Sequence, residues 1–145
     1  MINQFEIATN ISNDLIDLCK PPEEPERWNA GLVLPYALTK GTRGYIEKVA
    51  LQINIAYRDA CYDACLVMVR RLIETLIIEC FECYKMRSKI EDGNGNYFFL
   101  RDLIIAFLAE SAWKPSQNIK RYLPALKEVG DKSAHSKNYN AFRQD

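Results

Sequence analysis

The stretch from Ala60 to Met86 constrains this chain most, because its apolar side chains fall around most of a helical circumference. Cys61, Ala64, Cys65, Met68, Leu72, Leu76, Cys80 and Cys83 form one stripe, and Leu66, Val69, Ile73, Ile77, Phe81 and Tyr84 form a second beside it. Polar side chains are confined to a single sector holding Asp63, Arg70, Arg71, Glu74 and Glu82. A helix with so little polar surface has to be packed on several sides, which makes it the centre of its fold.

The flanking segments supply helices to pack on it. From Thr42, the residues Tyr45, Val49 and Ile53, with Ile46 and Ala56 beside them, predict an amphipathic helix that Asp59 separates from the central one, as a break or an N-cap. Arg87 to Asn96, with its run Asp92-Gly93-Asn94-Gly95-Asn96, reads as a loop. Phe98 to Glu110 predicts a short helix with Phe99, Leu103, Ile104, Phe107 and Leu108 inward. After the turn Trp113-Lys114-Pro115-Ser116, Ser116 is placed to cap a helix whose inward residues are Ile119, Tyr122, Leu123, Leu126 and Val129. Gly130 suits the position just past that helix, and Asp131 then caps a last helix through His135 toward Phe142. Upstream, Gln4 to Cys19 predicts a modest amphipathic helix, stopped by Pro21-Pro22-Glu23-Glu24-Pro25, and an extended connector runs on to Pro35. The pattern gives an all-α fold, an irregular bundle of about five helices, with residues 1–35 as N-terminal helix and connector and 36–145 as the bundle.

With 145 residues and 48% apolar content, the chain fits one domain with a single core. Nineteen basic and nineteen acidic side chains cancel, which argues against strong, sequence-independent binding to duplex nucleic acid. The charge is nevertheless uneven, acidic over residues 1–30 and basic over 111–145, so that the two ends could attract each other within the fold or between subunits. No secretory signal and no membrane-spanning segment is visible, and an odd number of cysteines, five, fits reduced thiols in a cytoplasmic protein. Cys80-Phe81-Glu82-Cys83 has the spacing of half a zinc site, but Cys61 and Cys80 would lie about 28 Å apart along one helix, so no metal or other cofactor is expected.

Two clusters remain as candidates for chemistry. Arg70, Arg71 and Glu74 share one helical patch, either as a solvated edge or as a clamp whose guanidinium groups orient a carboxylate, a carbonyl or a phosphate. His135, the single histidine, ends the run Gly130-Asp131-Lys132-Ser133-Ala134-His135 and reads either as a structural side chain or as an acid, base or phosphate donor beside a helix start.

Together, Val69-Arg70-Arg71-Leu72-Ile73-Glu74 and Gly130-Asp131-Lys132-Ser133-Ala134-His135 resemble the Arg-Arg-x-x-Glu helix and Gly-Asn-x-x-Ala-His turn of domain-of-unknown-function family 4145. That family is grouped with the HEPN (higher eukaryotes and prokaryotes nucleotide-binding) superfamily, and the resemblance covers about residues 57–142. It implies a four- or five-helix bundle, homodimerisation, and a role in prokaryotic antiviral defence or toxin–antitoxin systems. Active HEPN ribonucleases carry Arg-x(4–6)-His, yet no arginine stands four to six residues before His135 here. The leading expectation is therefore a non-catalytic HEPN-like module for self-association or docking, in which Arg70, Arg71, Glu74, Asp131, Ser133 and His135 form a polar cluster tying the last helix to the central one. One alternative is a metal-independent ribonuclease acting on RNA through His135 with Arg70 or Arg71; another is a nucleotide-binding module. A fused or associated effector, or a longer parent chain, is compatible with all three.

Overall fold

A computed structural model describes residues 33–144, so the predicted N-terminal helix and most of the connector lie outside the described residues. Five α-helices follow: α1 (Tyr36–Thr39), α2 (Gly44–Arg58), α3 (Tyr62–Cys83), α4 (Leu100–Ala109) and α5 (Gln117–His135), with a 3₁₀ turn over Arg87–Lys89. No strand occurs among the described residues; Glu91 and Tyr97 form an isolated antiparallel bridge. The molecule is the all-α bundle the sequence predicts.

The central position of α3 follows from its two stripes. One side packs Cys65 and Leu72 against Ile46, Val49 and Ile53 of α2. Toward its C-terminus, Ile73, Ile77 and Phe81 join Ile90 and the α4 residues Leu100, Leu103 and Ile104. At its N-terminal end, Tyr62 and Leu66 meet Ala141 from the tail beyond α5. Ile53, Phe81, Ile90, Leu100 and Leu103 are the largest fully buried side chains, each worth about 1.5–3 kcal/mol of transfer free energy.

Both ends of α3 are set by backbone geometry rather than by side-chain caps. Asp59 is the residue at which α2 ends, not an N-cap of α3, and the N-cap position falls to Cys61. Ala60 (φ 56°) takes the left-handed conformation, and the Cys61 amide closes onto the Ala56 carbonyl at 2.8 Å. Lys85 (φ 58°) repeats the arrangement after α3, where the Met86 amide reaches the Phe81 carbonyl at 2.8 Å. Neither residue is glycine, which is why composition does not mark these stops.

The predicted loop is present. Asp92 Oδ1 accepts from the amides of Asn94 (2.8 Å) and Asn96 (2.9 Å), so the carboxylate organises the turn that Gly95 completes at φ +81°. Ser116 caps α5 as expected, its Oγ accepting from the Ile119 amide at 3.2 Å. Trp113 is wedged against Phe81, Tyr84 and Phe107, and its indole N–H donates to the Phe107 carbonyl at 2.8 Å.

Several expected inward positions are not. Phe99 is 86% exposed because it precedes the first turn of α4, and Leu100 takes the buried place instead. Tyr45 points outward and its hydroxyl donates to Glu79, while Ile46 fills the core. Ile119 and Tyr122 are also exposed, because the first turns of α5 do not bury them. The largest correction concerns Gly130. Gln117–His135 is one unbroken helix, with Pro124 and Gly130 inside it, and no further helix follows among the described residues. Asp131 is thus a mid-helix residue and not an N-cap.

No helix of the described residues is long and apolar enough to cross a membrane.

Candidate functional site

The two motif-bearing segments meet where α5 crosses α3. Gly130 is buried at the crossing, and a Cβ on it would stand 3.0 Å from Arg70 Cβ and 3.2 Å from the Leu66 carbonyl oxygen. Glycine costs about 1 kcal/mol relative to alanine in a helix interior. Here that cost accompanies a closer approach of two helices than any larger residue permits.

Close approach brings the next residue into bonding range of α3. Arg70 Nε donates to Asp131 Oδ1 at 2.6 Å, and Lys127 Nζ, one turn earlier on α5, donates to Asp131 Oδ2. Arg70 also lies 3.8 Å from Glu74 one turn along α3. The result is a chain of alternating charge, Glu74, Arg70, Asp131, Lys127, lying across the helix crossing at the half-buried edge of the bundle. Partial burial alone would raise the Asp131 pKa, but the hydrogen bonds and charges of Lys127 and Arg70 outweigh it and hold the carboxyl below its usual range.

Of the six candidate residues, Arg70, Glu74 and Asp131 come together, and the other three do not join them. Arg71 is exposed, with no side-chain hydrogen bond or ion pair to another described residue. Ser133 is half-buried, and its Oγ is enclosed without a hydrogen-bond partner among the described residues. His135 is exposed at the last position of α5 and makes no side-chain hydrogen bond or ion pair within the described residues.

Helix direction explains the separation. Leu66 faces Gly130, while Ile73 and Leu126 line one groove, so α3 and α5 run antiparallel. Gly130 lies opposite Leu66 and Arg70, and from there α5 runs on to His135 in the direction opposite to that in which α3 runs on to Arg71. Lys127 is the member the sequence did not reveal. Its signal was an i,i+4 pair with Asp131, hidden as long as a helix break was expected at Gly130 between secondary elements.

Comparison with protein families, curated proteins and solved structures finds no match to this chain.

The chemistry open to the cluster is limited by its own bonds. The Arg70 guanidinium is held by two carboxylates, and Asp131 accepts from two cations, so these groups neutralise one another. Among the described residues no group of three or more His, Cys, Asp or Glu side chains is arranged to hold a metal ion, and the four described cysteines, Cys61, Cys65, Cys80 and Cys83, are free thiols.

Proposed function

We propose that this chain is a non-catalytic, HEPN-like helical module that works by self-association, within a prokaryotic defence or restriction assembly and in the cytoplasm. The family and its setting rest on the resemblance of the two short motifs. The observation that carries the non-catalytic reading is the Arg70–Asp131 bond at 2.6 Å: the motif residues are engaged in holding α5 to α3. A ribonuclease would need that arginine, or Arg71, directed at a phosphate beside His135, whereas Arg70 is engaged by Asp131.

Self-association is supported by the exposed face of α1 and α2. Tyr36, Leu51 and Ile55 line a cleft of about 460 Å³ with Glu47, Lys48 and Arg58 among its polar members. Leu51 and Tyr36 are both more than half exposed. Apolar residues accompanied by charges of both signs are self-complementary under a two-fold axis, where Glu47 of one copy meets a cation of the other.

Sedimentation analysis at micromolar concentration tests the reading, with a dimer expected for the parent chain and a monomer for Leu51→Glu. The same preparations are incubated with single-stranded RNA. Cleavage that is lost in His135→Ala, with the fold retained, would overturn the proposal in favour of the ribonuclease.

A further inference from the structure

The loop from Asp92 to Asn96 carries the two junctions of this chain most prone to spontaneous backbone chemistry. Asparagine followed by glycine occurs once in the sequence, at Asn94-Gly95, and aspartate followed by glycine once, at Asp92-Gly93. In both pairs the glycine nitrogen can close a succinimide ring onto the preceding side-chain carbonyl carbon. A side chain on the second residue crowds that closure, and glycine has none. Both glycines also face open space, with nothing within 4 Å of where a Cβ would stand.

The turn treats the two pairs differently. Asp92 Oδ1 accepts from the amides of Asn96 and Asn94, and Oδ2 accepts from Asn96 Nδ2 at 3.4 Å. These bonds hold the Asp92 carboxyl below its usual range, and an ionised, occupied carboxylate is a poor target for a nucleophile. The Asn94 side chain, by contrast, is exposed and makes no hydrogen bond to another described residue. Asn96 is followed by Tyr97, whose ring lies under the Arg87 guanidinium and whose hydroxyl donates to Glu82. Asn54, Asn118, Asn138 and Asn140 also precede residues with side chains.

One bond restrains Asn94. The Gly95 amide donates to the Asp92 carbonyl at 3.0 Å, with Gly95 at φ +81°. Its nitrogen is free to attack only when that bond opens. Residues 92–96 are all exposed, so the opening is local and leaves the core intact.

We infer that Asn94 is a site of spontaneous deamidation and that the turn held by Asp92 sets its rate. The Gly95 nitrogen attacks Asn94 Cγ, forming the ring bond, and its proton passes to the departing side-chain amide, which leaves as ammonia. Water then opens the imide. Cleavage at Cγ leaves aspartate at position 94, and cleavage at the main-chain carbonyl carbon leaves isoaspartate. Water is the sole co-reactant and nothing is oxidised. Either product adds a negative charge close to Glu91 and Asp92 in the chain. Isoaspartate also lengthens the backbone inside the turn, against the 2.8 Å bond from the Asp92 amide to the Asn96 carbonyl and the Glu91–Tyr97 bridge beyond it.

Incubation of the full-length chain in mildly alkaline buffer, followed by tryptic mapping, tests the assignment. The peptide from Ile90 to Arg101 is expected to gain isoaspartate and aspartate at position 94, faster as pH rises, with Asp92 and Asn96 unchanged. Asp92→Ala removes the carboxylate that organises the turn and is expected to convert several-fold faster at Asn94. Asn94→Gln is expected to leave the same peptide unmodified over the same period. Asn94 that stays intact in the folded chain while it converts in guanidinium-unfolded chain would overturn the inference, as would conversion led by Asp92 or Asn96. Equal rates at Asn94 in the parent and in Asp92→Ala would overturn the control assigned to the turn.

Discussion

Arg70 and Asp131, sixty-one residues apart in sequence, bond at 2.6 Å across the crossing of α3 and α5. The bond exists because Gly130, next to Asp131, lets the two helices approach within contact of backbone and Cβ atoms. A residue valued for its small size thus positions a neighbour valued for its charge, and neither is interpretable without the other.

Removing the carboxylate should loosen this crossing. Asp131→Ala leaves Arg70 and Lys127 facing each other as like charges, and we expect a loss of about 1–2 kcal/mol. Both partners of the Arg70–Asp131 pair retain about a third of their side-chain exposure, 31% each, so solvent screening keeps the figure small. Denaturant titration of Arg70→Ala, Asp131→Ala and the double variant measures the pair directly, and simple additivity of the two losses would show that the bond adds nothing.

The same pair gives a pH dependence of definite sign. Because Asp131 titrates below the usual carboxylate range in the folded protein, the folded state binds its proton less readily than the unfolded chain does. Its stabilising contribution is complete above the unfolded value near 4 and is lost as pH falls through the lower folded value. The parent chain should lose more stability than Asp131→Asn between about pH 5 and pH 2. Parallel stability curves for the two proteins in that range would contradict the assignment.

Gly130→Ala sets two effects against each other. Helix propensity favours alanine by about 1 kcal/mol, whereas overpacking at a fixed backbone costs about 1–3 kcal/mol. The nearest atoms are a Cβ and a backbone carbonyl, neither of them the end of a flexible side chain. Packing should therefore win, with a net fall in melting temperature for Gly130→Ala and a larger one for Gly130→Val. A rise in melting temperature for the alanine variant would mean that the helices slide apart at little cost.

The fold class and the central helix were legible because the apolar pattern over Ala60 to Met86 reflects burial on several sides, and burial is what the structure shows for Cys65, Leu72, Ile77 and Phe81. The pairing of Arg70 with Asp131 was legible only as a cluster. A glycine in a helical pattern signals a stop or a close crossing equally well, and what distinguishes them is the residue opposite, here Arg70, which local sequence does not show. Choosing the stop moved Asp131 to a cap, concealed Lys127 and brought His135 into a tie from which it is absent. Phe99 failed for a simpler reason: a shift of one residue in the start of α4 exchanges an inward position for an outward one.

Ser133 has a hydroxyl enclosed in protein with no hydrogen-bond partner among the described residues. Water bonded it in the unfolded chain, so folding forfeits about 1–3 kcal/mol of that interaction. Ser133→Ala removes the unmet group and places a better helix former inside α5. We expect stability unchanged or higher by up to about 1 kcal/mol, read from the urea midpoint. A loss beyond about 1 kcal/mol would reveal a bond that the hydroxyl makes after all.

Ala60 and Lys85 end α2 and α3 in left-handed conformations that glycine adopts without steric cost. Glycine also enlarges the conformational freedom of the unfolded chain, which opposes the gain. The relief of Cβ strain in the folded state is about 1–2 kcal/mol for an L-residue, so the balance favours substitution. Lys85 is exposed and offers the cleaner case, and Lys85→Gly should stabilise by about 0.5–1 kcal/mol. Ala60 is half-buried and packs beside Tyr62 and Leu66, so Ala60→Gly gives up a methyl contact and should gain less. Thermal unfolding of the two variants should rank Lys85→Gly above Ala60→Gly, and a lower melting temperature for Lys85→Gly than for the parent would place the end of α3 outside the left-handed geometry.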